Sequence, residues 1–217
     1  MAYKHILFDL DGTLTDPALG ITNSVMYALR HYGFPVPERE KLFFFIGPPL
    51  IDSFEKHCGF SREKAVEAMG VYREYFGEKG ILENEVYEGI PQLLDALVAS
   101  GKKLYLASSK PELYCVQILK HFDLYKYFTF VAANTMQEDR SEKSDIIQWL
   151  YENHPEVKEE GAIMVGDTQF DVMGAQKQNL PCVAVSYGYG DKQKIADLKP
   201  DFIANSVSEL KDILLAE

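Results

Sequence analysis

His5-Ile6-Leu7-Phe8-Asp9-Leu10-Asp11-Gly12-Thr13-Leu14-Thr15-Asp16 decides how the rest of the chain is read. The apolar run from Ile6 to Phe8 reads as a buried strand, and it stops at two aspartates that flank Leu10. Gly12 and a threonine-rich turn follow. Open α/β sheets bind their ligands just past the C-terminal ends of strands, which is where these carboxylates lie. Two acids so close together are costly there unless a cation or substrate engages them, because an unpaired buried carboxylate costs several kcal/mol. The rest of the chain is therefore expected to supply a cation's other ligands and a counter-charge.

Outward from that stretch, two rhythms divide the sequence. From Pro17 to Gly80 every periodic segment is helical. Ile21, Val25 and Leu29 repeat at four-residue spacing up to Gly33, Pro35 and Pro37. A short helix is expected over 38–45 and is broken by Gly47-Pro48-Pro49, and another over 50–58. Ser61 reads as an N-cap, and Ala65, Met69, Tyr72 and Phe76 share a helical face that Gly77 and Gly80 close. Beyond Tyr87, helices and short apolar strands alternate. Strands are expected at 103–107, 128–132, 162–165, 181–186 and 201–204. Helices are expected between them, at 111–121, 141–153, 170–178 and 192–197, and at 207–215. That alternation argues for an α/β fold: a Rossmann-like, doubly wound parallel sheet covered on both faces. The expected division is a core of residues 1–16 and 81–217 and a small all-helical domain, 17–80, inserted after the first strand.

The 217 residues suffice for this arrangement, and 47% hydrophobic with 25% charged content fits a globular chain. A net charge of −11 disfavours a nucleic-acid polymer or an anionic membrane as partner. Any anionic substrate then needs a local positive site. Cys58, Cys115 and Cys182 form no C-x-x-C pair and read as small buried residues in a reducing compartment. The five histidines show no metal-ligand spacing. No apolar run is long enough for a membrane span and no signal-peptide pattern occurs, so the cytoplasm is the expected location.

Other expected strands also end in polar residues. Leu104-Tyr105-Leu106-Ala107 runs into Ser108-Ser109-Lys110, and Ile163-Met164-Val165 runs into Gly166-Asp167-Thr168-Gln169-Phe170-Asp171. In a parallel sheet these ends share one edge, so Asp9, Asp11, Asp167 and Asp171 should converge. A hard divalent cation with oxygen ligands, such as Mg²⁺, would relieve their repulsion. Pro111 suits the first position of a helix, so the Ser108–Lys110 turn is expected to be an anion-binding helix N-terminus. Lys143, at the start of the next helix, could balance phosphate and acids as a point charge. Cation, lysine and hydroxyl around a carboxylate suit phosphoryl transfer.

These clusters resemble the signatures of the haloacid dehalogenase superfamily. Asp9-Leu10-Asp11-Gly12-Thr13 is similar to its first motif, Ser108 to the second, Lys143 to the third, and Gly166-Asp167-Thr168 with Asp171 to the fourth. The helical insertion resembles the family's cap, and the phosphoglycolate-phosphatase-like members are the nearest likeness. The resemblance implies a Mg²⁺-dependent phosphatase of small phosphorylated metabolites, phosphoglycolate- or nucleoside-monophosphate-like. Asp9 would be the nucleophile that forms an aspartyl-phosphate, and Asp11 the proton shuttle. Asp9 and Asp167 would hold the metal with the Asp11 backbone carbonyl, supported by Asp171. Ser108, Ser109 and Lys143 would hold the phosphate, with Lys110 as the other candidate lysine. A phosphomutase of the same fold is the alternative, and a non-catalytic phosphate- or Mg²⁺-binding regulator a more distant one. In the helical segment, Phe43-Phe44-Phe45 is expected to place at least two rings in the core. Tyr187-Gly188-Tyr189-Gly190 reads as a flexible loop.

Overall fold

Ile6, Leu7 and Phe8 are fully buried and, with His5, form β1 (His5–Phe8) of the computed structural model, which describes residues 3–216. The chain runs through β2 (Thr15–Asp16) into α1 (Ala18–His31), a 3₁₀ turn at Arg39–Phe45, α2 (Leu50–Cys58) and α3 (Arg62–Tyr75), and returns through β3 (Glu85–Val86). Helices and strands then alternate: α4 (Ile90–Ala99), β4 (Lys103–Pro111), α5 (Glu112–His121), β5 (Phe128–Asn134), α6 (Lys143–Asn153), α7 (Pro155–Glu160) and β6 (Ala162–Gly166). The remaining elements are α8 (Gln169–Lys177), β7 (Cys182–Val185), α9 (Lys192–Asp197), β8 (Phe202–Ala204) and α10 (Val207–Leu215). No described helix is long and apolar enough to cross a membrane.

The main sheet has the order β5-β4-β1-β6-β7-β8, with every pair parallel. It is the expected Rossmann-like α/β core. Strand order reverses direction at β1, which pairs with β4 on one side and β6 on the other, so the ends of these three strands meet at the switch point. Leu7 lies opposite Tyr105 and Met164, and these three side chains join Ile146, Ile147, Leu150, Val172 and Ala175 in one apolar cluster. Ile6 and Phe8 alternate onto the other face, which explains why the strand is apolar at every position.

The chain divides into two compact units, Met1–Thr15 with Val86–Glu217, and Asp16–Glu85. The helical unit reaches past residue 80 because Glu83 is tied into it. Its carbonyl accepts from the Gly20 amide (2.9 Å), and its carboxylate accepts from Asn23 (2.8 Å) and Tyr75 (3.0 Å). Within this unit Ser61 caps α3, accepting from the Lys64 amide, and Ala65, Met69, Tyr72 and Phe76 are all buried. Gly77 and Gly80 do not stop α3. It continues into a π-helical turn, Phe76–Gly80. Of the three phenylalanines only Phe45 is buried, against Phe54; Phe43 is half-buried, and Phe44 is exposed with its ring against His57. The 3₁₀ turn explains the difference: successive residues point about 120° apart, so three in a row cannot share a core face.

In the α/β unit, β4 runs on through Ser108–Lys110 because β5 keeps pairing with it, Ser108 opposite Ala133 and, after a register shift, Pro111 opposite Asn134. Pro111 therefore caps α5 in an extended conformation (φ −54°, ψ 134°) and is not its first helical residue. The expected helix N-terminus at Ser108–Lys110 is instead strand. α6 begins at Lys143, two residues later than its sequence pattern starts, with Glu142 as cap. α7 was not expected, although Pro155 stands at its start, a position that proline favours.

At the N-terminal end of β1, His5 is buried between Tyr105 and Glu160. Its Nδ1 is 3.2 Å from the Tyr105 hydroxyl and its Nε2 is 3.4 Å from a Glu160 oxygen. An ionised carboxylate can only accept, so Nε2 carries the proton and Nδ1 accepts from tyrosine. Burial lowers the His5 pKa below its usual 6.5, against the opposing pull of Glu160. A group whose folded pKa is lowered stabilises the fold above its unfolded pKa, and that contribution is lost as pH falls below it.

Two outcomes follow from the core. Leu7→Ala should cost about 2–5 kcal/mol of unfolding free energy in denaturant titrations. As pH falls below about 6.5, the usual histidine pKa, wild-type stability should fall more than that of His5→Gln. Parallel pH profiles of the two proteins would sink this reading of His5.

Candidate active site

The backbone places Asp9 by continuing the sheet: its amide donates to the Val165 carbonyl at 2.9 Å. The chain then turns tightly. The Leu10 carbonyl accepts from Leu14 (2.9 Å) and Thr15 (3.0 Å), and the Gly12 amide donates to Thr15 (2.8 Å). Gly12 has φ +82°, and a Cβ there would collide with the Asp167 carboxylate. Glycine is thus required twice over, for the left-handed backbone and for the close approach.

Asp9, Asp167 and Asp171 each bring a carboxylate oxygen within 4.8 Å of the others, and all three are buried. Lys143 reaches into this cluster from the start of α6. Its ammonium lies 2.9 Å from Asp9 Oδ1 and 2.8 Å from Asp171 Oδ1, and donates to the Ala107 carbonyl at 2.6 Å. The ammonium is thus hydrogen-bonded to one carbonyl and ion-paired with both acids. The other Asp171 oxygen accepts from the Thr168 amide (3.0 Å) and hydroxyl (2.8 Å), which makes Asp171 a capping acid of α8 as well as a partner of Lys143. Asp167 accepts from the Thr13 hydroxyl at Oδ1 (3.4 Å) and from the Tyr189 amide at Oδ2 (2.8 Å).

Three buried carboxylates face one buried ammonium. Burial raises the Asp9 pKa to about 6, Lys143 pulls it down, and Asp171 pushes it up again. Burial also raises Asp167, reinforced by Asp171 and Asp9. Burial disfavours the Lys143 charge, yet Asp171 and Asp9 hold its pKa above the usual lysine range. The surplus of negative charge on oxygen donors is what a hard divalent cation requires, so this donor set fits Mg²⁺.

Asp11 stands apart from this trio. Its Oδ2 is ion-paired with Lys110, while its buried Oδ1 has no hydrogen-bond partner among the described residues. Ser108 is buried on β4, its hydroxyl accepting from the Lys110 amide at 3.4 Å, and Ser109 beside it is half-buried. The two candidate lysines therefore sit on different acids, Lys143 on Asp9 and Asp171, Lys110 on Asp11. Arg140 donates to the Ala133 carbonyl and lies over the Trp149 ring, and Asn23 bonds Glu83 and Arg39. The residues that sequence reasoning missed are Thr13, which bonds Asp167, and the Tyr187–Gly190 loop, whose Tyr189 amide does the same. Their one signal was position: that loop also follows the C-terminal end of a parallel strand.

A family model of haloacid dehalogenase-like hydrolases matches residues 6–185. A 5'-nucleotidase of Pseudomonas aeruginosa is 38% identical, over 99% of this chain and 96% of its own length. The tyrosine-protein kinase PtkA of Mycobacterium tuberculosis is 34% identical over 96% of this chain and 72% of its own. The crystal structure of a predicted phosphatase from Clostridium acetobutylicum matches with TM-score 0.94 and 41% identity, covering 99% of each chain.

Removing Lys143 leaves two buried carboxylates without their cation. Lys143→Met should therefore lower unfolding free energy in EDTA by about 3–5 kcal/mol. A denaturation midpoint equal to that of the wild type would show that the ammonium does not balance the cluster.

Proposed function

Since the chain belongs to the haloacid dehalogenase-like hydrolase family and is a phosphatase, we propose that it hydrolyses a small phosphomonoester through a phosphorylated Asp9. The observation that carries this reading is the placement of Asp9. It is buried beside Lys143 and two further acids, while Asp11, two residues on, is paired separately with Lys110. The two carboxylates thus stand in different surroundings, and this reading gives the phosphoryl group to Asp9 and the proton to Asp11.

In the first step an Asp9 carboxylate oxygen attacks phosphorus and the bond from phosphorus to the leaving oxygen breaks. Asp11, protonated, gives its proton to that oxygen. In the second step water attacks the phosphoryl group, Asp11 takes the water's proton, and Asp9 leaves as a free carboxylate with inorganic phosphate as the other product. Lys143, with the Ser108 hydroxyl and the neighbouring Ser109, would hold the phosphoryl oxygens. Asp9, Asp167 and Asp171 would hold Mg²⁺, with the Asp11 carbonyl. Its chemistry there is charge neutralisation of the phosphoryl group.

The helical unit Asp16–Glu85 takes the role of cap and selects the leaving group. A nucleoside monophosphate is the first substrate to test, supported by the similarity to a protein named as a 5'-nucleotidase. The net charge of −11 favours a small molecule over a nucleic-acid polymer. Cys58, Cys115 and Cys182 are all unbridged, which agrees with a reducing, cytoplasmic setting.

Phosphate release with Mg²⁺ should be followed across nucleoside monophosphates, phosphoglycolate and sugar phosphates. Wild-type protein should turn over at least one of them. Asp9→Asn should lose activity by at least about a thousandfold with unchanged circular dichroism. An Asp9→Asn protein that keeps a tenth or more of wild-type turnover overturns the mechanism.

A further inference from the structure

We infer that the loop after β7 is a positioning element of the acid cluster, and that Tyr187 sets the place of Asp167 by acting through Thr13. This rests on the reading of Asp9, Asp167 and Asp171 as a cation site. The Tyr187 hydroxyl donates to the Thr13 carbonyl at 3.0 Å. The Thr13 hydroxyl in turn donates to Asp167 Oδ1 at 3.4 Å, and the Tyr189 amide donates to Asp167 Oδ2 at 2.8 Å. One loop therefore grips Asp167 from one side directly and from the other through the turn that follows Asp11.

The rest of the loop is built for that approach. A Cβ on Gly188 would overlap both the Asp167 carboxylate and the Gly12 carbonyl, and one on Gly190 would overlap the Asp167 carbonyl. Side chains at these positions would push the loop off the cluster. The Tyr187 ring is held edge-on by Tyr87, with centroids 5.1 Å apart. Burial and the Asp167 charge raise the Tyr187 pKa, so the hydroxyl remains a donor at neutral pH.

A carboxylate has about four lone-pair sites, and the two hydrogen bonds to Asp167 use one on each oxygen. The remaining pair is aimed by those two bonds. Thr13 is fully buried, so water does not replace a lost tether at little cost. Tyr187 is thus a positioning residue: it touches neither phosphate nor the reacting oxygens, and it works by fixing Thr13.

The test is Tyr187→Phe, which keeps the ring and removes the hydroxyl. Mg²⁺ binding to the substrate-free protein is read by calorimetry, and thermal stability is read in EDTA. Tyr187→Phe should bind Mg²⁺ about three- to tenfold more weakly, the change expected for loss of one part-buried hydrogen bond. Its half-saturating Mg²⁺ in phosphate release should rise by a similar factor, with kcat at saturating Mg²⁺ retained. Thr13→Val should weaken Mg²⁺ binding as well, and the double variant should bind no worse than Thr13→Val alone. Unchanged Mg²⁺ affinity in Tyr187→Phe, with or without a lower Tm, overturns the inference and leaves the phosphatase mechanism standing. Additive losses in the double variant overturn the route through Thr13. A wild-type protein that takes up no Mg²⁺ removes both the cation site and this inference.

Discussion

The contact of Lys143 with the buried carboxylates is the interaction on which the rest depends. One ammonium joins Asp9 after β1, Asp171 in α8 and the Ala107 carbonyl on β4. Without it, two acids within a few ångströms of each other would have to be buried unpaired, at a cost of several kcal/mol each. Lys143 is itself buried, and two ion pairs and one hydrogen bond offset the cost of burying its charge. The pair is not balanced, however. Asp167 lies in the same cluster with no cation of its own beside it among the described residues, held instead by the Thr13 hydroxyl and the Tyr189 amide. The site is therefore electrostatically incomplete in a way that suits a divalent cation and a phosphoryl group together.

Sheet order makes this possible. Because β1 lies between β4 and β6, three strand ends deliver Asp9, Ser108 and Asp167 to one edge without any long loop. The chain spends its rigid elements on position and its turns on polarity. Thr168 shows the economy of the arrangement. Its hydroxyl caps α8 through the Phe170 amide and also bonds Asp171, so the start of a helix and the orientation of a site acid are one feature. The second lysine divides the labour further. Lys110 on Asp11 and Lys143 on Asp9 keep two aspartates, separated by one residue, in different electrostatic surroundings. The proposed mechanism uses that difference, with one acid attacking while the other carries a proton.

Much of this was legible before any coordinates. The strand ending in Asp9-Leu10-Asp11, the alternating rhythm beyond Tyr87 and the Ser61 cap are local patterns. Local patterns follow from burial period and backbone chemistry. What failed to show depended on strand pairing, turn geometry and long-range hydrogen bonds. β4 continues past Ala107 because β5 runs alongside it, and no periodicity in Ser108-Ser109-Lys110 announces that. Phe43-Phe44-Phe45 looked like core by composition, and the 3₁₀ turn turned one of the three outward into solvent. Glu83 lay in an unpatterned stretch, yet its bonds to Gly20, Asn23 and Tyr75 extend the helical unit to Glu85.

The alternation beyond Tyr87 by itself marked an α/β chain, and the opening twelve residues put acids at the end of a strand. Set beside Gly166-Asp167-Thr168 and Lys143, they carried the family resemblance that implied a phosphatase. Apolar period and charged punctuation are properties of neighbours in the chain, so they can be read along it. The tertiary structure alone decided which lysine meets which aspartate, and that Tyr187, 174 residues away from Thr13, is bonded to the turn after Asp11. Those contacts depend on side-chain reach between strands that the fold makes adjacent, and no spacing along the chain encodes that reach.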